Sequence, residues 1–145
     1  LRRRLDPNGF FDRMDAGWGR FLTPVEIDRR KPAYVADLLS TMPGLIAYAG
    51  TKGTVIKGTA RMGRSRANGR TTECSPTIFV DRARLPVDIA GGSGESLEQV
   101  VSPRRIRGIE YYRDAISAPG EFQPPARGRG TECGVIVIWT YVGPE

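Results

Sequence analysis

Side chains that can do chemistry are scarce in this chain of 145 residues. It contains no histidine and only two cysteines, Cys74 and Cys133. Without histidine there is no imidazole base, no Ser-His-Asp or Cys-His nucleophilic site and no His-ligated metal, and two cysteines cannot form a four-cysteine zinc site. The phosphate-binding, dinucleotide-binding and serine-nucleophile motifs are also missing. We therefore expect no enzymatic activity, no cofactor and no metal, and we assign no catalytic residue.

Paired carboxylates are the remaining route to catalysis. Asp12, Asp15, Glu26 and Asp28 are close enough along the chain to suggest an acid and base pair of the glycosidase kind. Glu26 and Asp28, however, follow Thr23 and fit the first turn of a helix, where negative charge is stabilised by the helix dipole. The second interpretation favours a structural role.

Glu110 is the acidic residue that we expect to be paired. It stands in a predicted strand beside Tyr111 and Tyr112, and the candidate partners are Arg107 and Arg113. The alternative is a solvated strand face, on which Glu110 has no fixed partner.

The two cysteines suggest a disulfide. A single pair far apart in the chain suits one long-range Cys74–Cys133 bond in an oxidising compartment better than a redox or metal motif. In the chain-entropy model the closed loop would stabilise the fold by roughly 4 kcal/mol. The alternative is a pair of buried free thiols in a cytosolic protein.

The elements that must position these side chains begin with an irregular lead over residues 1–20, packed by Phe10, Phe11 and Trp18. A capping box at Thr23 and Glu26, with Pro24 in the first turn, predicts a helix. A second helix begins at Pro32 and ends at Pro43-Gly44. Its apolar positions, three and four residues apart, are Val35, Leu38, Leu39 and Met42.

Strand patterns dominate the rest of the chain. They cover residues 45–48, 54–57, 77–80, 109–113 and 134–141. Helical turns are predicted at the Ser96 capping box and at Ser102-Pro103. Both faces of the last strand are apolar, so it should be central and covered on both sides. The predicted fold class is α+β: one domain with a small mixed β-sheet and short helices.

Four stretches in this order resemble the plug domain of TonB-dependent outer-membrane receptors. They are Asp37 to Leu45 (DLLSTMPGL), Val55 to Gly58 (VIKG), Pro76 to Asp81 (PTIFVD), and the pair formed by Ile106 to Phe122 and Cys133 to Thr140. A subset of such plugs has cysteines at the places where Cys74 and Cys133 stand. The resemblance covers about residues 21–141, and we assign residues 21–145 to a plug-like domain.

The resemblance implies a non-enzymatic, exported domain in the periplasm, at the outer membrane or at the cell surface. Its partner would be a separate outer-membrane β-barrel or another envelope protein. The domain would gate that partner or act as an adaptor in transport. The ligand is unknown. Because the chain begins Leu1-Arg2-Arg3 rather than with methionine, we expect a processed product or a segment. Its longest apolar stretch, 135–142, is too short for a transmembrane helix.

The chain departs from the family pattern in three places. Arg82 and Asp114 stand where the family usually has glycine after a strand. Only residues 142–145 follow the last plug strand, where receptors of the family continue into a barrel of about 22 strands. Leu1 to Leu5 is basic, where the family has an apolar box for its energy-transducing partner.

Two other functions compete with the plug. A structural subunit of a surface or extracellular assembly would pair an exposed strand edge with a neighbour and give a homo-oligomer or filament. A nucleic-acid binder would use the net charge of +6 and the basic loops 61–72 and 126–130. The arginines are spread along the chain and often neutralised locally, as at Glu26 to Arg30, so we expect no specific nucleic acid. Charged loops are also commonly just solvated.

Overall fold

The computed structural model describes residues 6–59, 73–86, 89, 95–113, 117–122 and 134–143. Within this part of the chain the fold is α+β, as predicted. Short 3-10 helices cover Pro103–Arg105 and Gly120–Phe122. The helices are α1 (Phe10–Ala16), α2 (Pro24–Arg30), α3 (Ala36–Leu39) and α4 (Leu97–Val100). The strands are β1 (Arg20–Leu22), β2 (Leu45–Gly50), β3 (Gly53–Thr59), β4 (Glu73–Cys74), β5 (Thr77–Val80), β6 (Ala83–Arg84), β7 (Gly108–Tyr112) and β8 (Val135–Trp139).

These strands form two sheets. The larger has the order β1-β7-β8-β5-β6, and the smaller has the order β2-β3-β4. β5 and β8 run parallel, with Thr77 opposite Val135, while the other neighbours in both sheets are antiparallel. The larger sheet is therefore mixed, in agreement with the sequence prediction.

Both faces of the larger sheet are covered. On one face, Ile109, Ile136 and Ile138 belong to a cluster with buried side chains of α3, α4 and β3. On the other face, Val137 and Trp139 pack with aromatic side chains from α1 and the 3-10 helix at 120–122. All five residues of β8 are buried, which confirms that the last strand is central and covered on both sides.

The helix signals are confirmed at α2 and α4 and only in part at α3. Thr23 accepts a hydrogen bond from the Glu26 backbone N–H, at 3.3 Å, in the predicted capping box. α3 has four residues, although Val35, Leu38, Leu39 and Met42 are all buried as predicted. Gly44 has φ +92°, a left-handed conformation suited to glycine, and β2 begins at the next residue.

The prediction of an irregular lead over residues 1–20 is wrong at residues 10–16, which form α1. The Asp6 carboxylate accepts hydrogen bonds from the backbone N–H groups of Phe11 (3.1 Å) and Asp12 (3.0 Å) and so satisfies the helix N-terminus. Phe10 and Phe11 are buried as expected, but Trp18 is 73% exposed. A seven-residue helix with two adjacent aromatics shows too little periodicity to be recognised.

No helix in the described ranges combines the length and the apolar character that crossing a membrane would require.

Candidate functional site

A buried carboxylate lies in the larger sheet, on the strand next to the central one. Glu110, on β7, is fully buried. Its oxygens accept four hydrogen bonds: from Arg13 Nε (2.8 Å) and Nη2 (2.6 Å), from the Tyr112 hydroxyl (2.6 Å) and from Trp139 Nε1 (2.6 Å). A carboxylate offers about four acceptor positions. The acceptor capacity of Glu110 is therefore filled by α1, β7 and β8.

Arg13 is the cation that balances this carboxylate. Its side chain is 18% exposed, and its guanidinium carbon lies 5.4 Å from the ring centre of Phe122 and 5.8 Å from that of Trp139. Its Nη1 also lies 3.4 Å from Glu121, on the 3-10 helix. We name Arg13, Glu110, Tyr112 and Trp139 the Glu110 cluster.

The protonation states of the cluster follow from this packing. Burial raises the pKa of Tyr112 strongly, and the negative charge of Glu110 and the hydrogen bond to it act in the same direction. Burial acts to lower the pKa of Arg13, but the hydrogen bond to Glu110 and its charge outweigh burial and raise it. At neutral pH Tyr112 keeps its proton and Arg13 its charge. The cluster thus acts as a structural cross-link between the N-terminal helix and the sheet.

The prediction for Glu110 is confirmed as to pairing and wrong as to partner. Arg107 forms its ion pair with Asp28, at 2.8 Å, and Arg113 is exposed after β7. The alternative of a solvated strand face is also wrong. Sequence reasoning missed Arg13 because it was placed in the irregular lead, 97 positions from Glu110.

A second carboxylate, Glu98 on α4, ties α3 to the smaller sheet. It accepts hydrogen bonds from the backbone N–H groups of Val35 (2.8 Å) and Thr54 (2.8 Å) and from the Thr54 hydroxyl. The same hydroxyl oxygen accepts from the backbone N–H of Ala36, at 3.0 Å. Val35 and Ala36 begin α3, so Glu98 also places negative charge at a helix start.

Two of the four carboxylates considered for acid and base catalysis, Glu26 and Asp28, have structural contacts instead. Glu26 completes the capping box of α2, and Asp28 pairs with Arg107. That ion pair lowers the pKa of Asp28, first through the hydrogen bond from Arg107 and then through its positive charge, which outweigh the opposing effect of burial. In the described ranges no three His, Cys, Asp or Glu side chains are grouped as a metal site would need.

The structure adds a cleft that the sequence did not indicate. It has a volume of about 880 Å³, which is in the range of small-molecule sites. Trp18 is largely exposed. Two arginines that also line the cleft, Arg20 and Arg113, are exposed and form no ion pair with another described residue. The cleft, which we name the Trp18 cleft, thus brings one exposed aromatic side chain and two cations into one lining. It is lined by Gly17, Trp18, Gly19, Arg20, Tyr111, Arg113 and Ser117.

The predicted disulfide falls partly outside the described residues. Cys74 ends β4, whereas Cys133 lies outside the described ranges. Their described neighbours are close, because the backbone N–H of Thr77 donates to the carbonyl of Gly134, at 3.1 Å. Gly134 has φ +93°, and a Cβ there would lie 2.2 Å from the carbonyl oxygen of Tyr112, so this position requires glycine. The Cys74–Cys133 bond stays a prediction.

The basic loops predicted at 61–72 and 126–130 also lie outside the described residues, and nucleic-acid binding through them stays untested. In comparisons with known proteins, no family model and no curated protein matches the chain.

Proposed function

We propose that the chain is an exported, non-enzymatic, plug-like domain of the bacterial envelope that acts with a separate outer-membrane β-barrel. In this proposal the folded domain fills or lines the barrel lumen and gates or adapts it for transport. It catalyses no reaction.

One observation carries the proposal: the stretches that resemble plug domains pair within the two sheets, the first with the second and the third with the fourth. Leu45, the end of the first stretch, is opposite Gly58, the end of the second. The third stretch forms β5, which runs parallel to β8 from the fourth. The two parts of the fourth stretch pair as β7 and β8. Strands that follow one another in a chain commonly pair in any fold. The parallel pairing of β5 with β8, which are not consecutive, is therefore the contact that supports the resemblance most.

The conformation of Arg82 adds support. The family usually has glycine here, and the sequence departs from that pattern. Arg82 nevertheless has φ +75°, in the left-handed region that favours glycine. Its neighbour Asp81, at φ +47°, holds the turn by accepting hydrogen bonds from the backbone N–H (2.9 Å) and hydroxyl (2.6 Å) of Thr140. The backbone at Arg82 thus has a conformation that favours glycine, the residue the resemblance leads us to expect there.

The surface chemistry suits a barrel lumen. The interior of an outer-membrane barrel is polar, whereas its outer surface is apolar. The chain has a net charge of +6, and the Trp18 cleft presents two exposed cations. We therefore place the contact with an acidic lumen wall, or with an anionic ligand, at this cleft.

Site-specific photocrosslinking in cells of the source bacterium tests the proposal. A photoreactive residue replaces Trp18 in one strain and, as a matched control, Tyr141 in another; both side chains are largely exposed, and Tyr141 lies outside the cleft. We expect the Trp18 position to give an adduct with a β-barrel protein, recognised by its heat-dependent mobility, and the Tyr141 position to give little. Recovery of the chain from the cytosol, or adducts with soluble proteins alone, would contradict the proposal.

A second candidate function, a strand-pairing subunit of a surface assembly, is favoured by one feature of the smaller sheet. β2 is its terminal strand and carries no charged residue.

A further inference from the structure

The Trp18 cleft lies on the face of the larger sheet opposite the Glu110 cluster. Arg20 on β1 is opposite Tyr111 on β7, and directly opposed residues share a face of a sheet. Tyr111 belongs to the core cluster under α3 and the smaller sheet, whereas the aromatic side chains around Arg13 pack on the other face. The Tyr111 hydroxyl and Arg113 Nε each lie 3.2 Å from the position of a Cβ at Gly44. Arg20, Tyr111 and Arg113 therefore belong to one side of the sheet.

Trp18 is brought to this cleft by the backbone rather than by packing of its ring. At the next residue, Gly19, a Cβ would lie 2.6 Å from the Tyr112 ring and 2.9 Å from the carbonyl oxygen of Tyr111. Only glycine allows the chain to pass so close to the end of β7. The indole of Trp18 nevertheless stays 73% exposed. The chain thus carries a large aromatic ring to the sheet without covering it.

The charge of the cleft is unbalanced within the described part of the chain. Arg13, Arg82 and Arg107 each form an ion pair with a carboxylate. Arg20 and Arg113 have no such partner among the described residues, and no described residue of the cleft lining is acidic. A cleft lined by charge of one sign concentrates its field and attracts the opposite charge. The Trp18 cleft therefore favours an anion.

We propose that the Trp18 cleft binds a small aromatic anion, a ligand in which a flat ring carries a carboxylate or phosphate group. The ring stacks on the Trp18 indole. The anionic group accepts charge-assisted hydrogen bonds from the guanidinium groups of Arg20 and Arg113, whose planar forks match both carboxylate and phosphate. The cleft volume of about 880 Å³ accommodates such a ligand.

The combination of features selects a small molecule over an acidic protein surface. Ligand sites are concave, with few polar groups placed beside apolar ones. Acidic side chains of a barrel wall would meet the two arginines but would give the exposed indole no flat partner. A ring that bears an anionic group uses both features at once. The inference deepens the proposed function and rests on it for the cellular role of the ligand, while binding itself is measured on the purified chain.

A titration followed by NMR tests the inference. The probes are naphthoate and naphthyl phosphate; naphthamide has the ring without the charge, and acetate and inorganic phosphate have the charge without the ring. The chain has two tryptophans, and the Trp139 indole N–H, which donates to Glu110, is an internal reference. We expect both aromatic anions to shift the Trp18 indole signal saturably and to leave that of Trp139 unchanged. The control probes should bind at least about tenfold more weakly.

Variants of the two arginines locate the anionic group. Arg20→Gln and Arg113→Gln each remove a charged donor, and we expect each to weaken binding of both aromatic anions by about tenfold or more. Arg84→Gln is the matched control, because Arg84 is also exposed but lies in β6, at the opposite edge of the larger sheet. It should leave the affinity unchanged. Thermal unfolding confirms that each variant is folded, and two independent arginine variants guard against one that is not.

A Trp18 signal that does not shift with either aromatic anion, up to millimolar probe, would overturn the inference. Binding of the neutral or the ringless probes as tightly as the aromatic anions, or equal weakening by Arg84→Gln, would overturn it too. The test is separable from that of the proposed function. If the probes fail to bind while the Trp18 position crosslinks to a β-barrel, this inference alone is wrong. If the probes bind to a chain that is recovered from the cytosol, the proposed function alone is wrong.

Discussion

Glu110 is a charged side chain at a position where most proteins place an apolar one. A buried carboxylate costs several kcal/mol unless its charge and its acceptor positions are satisfied. Here Arg13 supplies the charge, while Tyr112 and Trp139 complete the hydrogen bonding. Each partner depends on the others, so the Glu110 cluster fixes how α1 sits on the sheet.

Glu110→Gln tests this dependence. The amide keeps the size of the side chain but leaves Arg13 without its buried counter-charge, and we expect a loss of roughly 3 kcal/mol in the free energy of unfolding. The matched control is Glu121→Gln, because Glu121 also contacts Arg13 but is 44% exposed. Its loss should be below about 1 kcal/mol. Urea denaturation measures both, and equal losses would show that the cluster is not the structural link described here.

Tyr112 makes the cluster sensitive to alkali. Its pKa is raised by burial and by Glu110 from an ordinary value of 10.0. Folding therefore favours the protonated form, and this stabilisation is fully present below about pH 10 and is lost as pH rises above it. The free energy of unfolding should fall by up to roughly 1.4 kcal/mol per pH unit there.

Comparing Tyr112→Phe with Tyr48→Phe isolates the contribution of the buried Tyr112 hydroxyl to the pH dependence of stability. Tyr48 is the control because it is 46% exposed. At pH 8 Tyr112→Phe should be less stable than the unsubstituted chain by roughly 1.5–3 kcal/mol, the value of a hydrogen bond to a charged group. Above pH 10 the difference in free energy of unfolding between Tyr112→Phe and the unsubstituted chain should become smaller. The free energy of unfolding of Tyr48→Phe should change with pH as that of the unsubstituted chain does. A difference that stays constant with pH would contradict the argument.

At the scale of elements, the turn between β5 and β6 shows how local chemistry maintains a strained backbone. Asp81 and Arg82 both have positive φ, which costs an ordinary residue roughly 1–2 kcal/mol. Asp81 is held by Thr140. Arg82 forms an ion pair with Glu121, and its guanidinium carbon lies 5.3 Å from the ring centre of Trp139.

Arg82→Val should therefore destabilise the fold by more than 1 kcal/mol, because a β-branched side chain fits a left-handed backbone poorly. Arg84→Val is the control, since Arg84 is exposed in the extended strand β6, where valine is favoured. Arg82→Gly should stay within about 1 kcal/mol of the unsubstituted chain, because relief of the backbone offsets the lost contacts. Thermal denaturation ranks the stability of the three variants. If Arg82→Val is at least as stable as Arg84→Val, this explanation of the turn is contradicted.

The elements that could be predicted from the sequence are those whose signals are local. The capping boxes at Thr23 and Ser96 correctly predicted helix starts. The apolar run from Val135, with both strand faces apolar, correctly predicted a central strand. α1 was missed because its N-terminus is satisfied by Asp6, outside any standard cap position. The partner of Glu110 and the Trp18 cleft were missed because they depend on pairing across long chain separations, which composition and spacing do not encode.

At the scale of the whole molecule, two sheets share one core but belong to different hydrogen-bonded networks. Cys74 ends β4 in the smaller sheet, and Cys133 precedes Gly134 and β8 in the larger. A bond between the two cysteines would join the sheets covalently. In the chain-entropy model this contributes roughly 4 kcal/mol.

Reduction should accordingly lower the thermal midpoint of the chain. The variant with Cys74→Ser and Cys133→Ser should have the thermal midpoint of the reduced protein, whether or not reductant is present. The midpoint of the unsubstituted chain should fall when reductant is added. Calorimetry measures the shift. If the oxidised and the reduced protein have the same thermal midpoint, the proposed disulfide is contradicted.

The central claim is that the chain is an exported plug-like domain, and its most direct test is the thiol state of the protein in its own cells. Cells are fractionated under an alkylating agent, and the intact mass of the chain is measured in the cytosolic and envelope fractions. We predict that the chain is found in the envelope fraction with neither cysteine alkylated until a reductant is added. Recovery from the cytosol with both cysteines alkylated would contradict the claim.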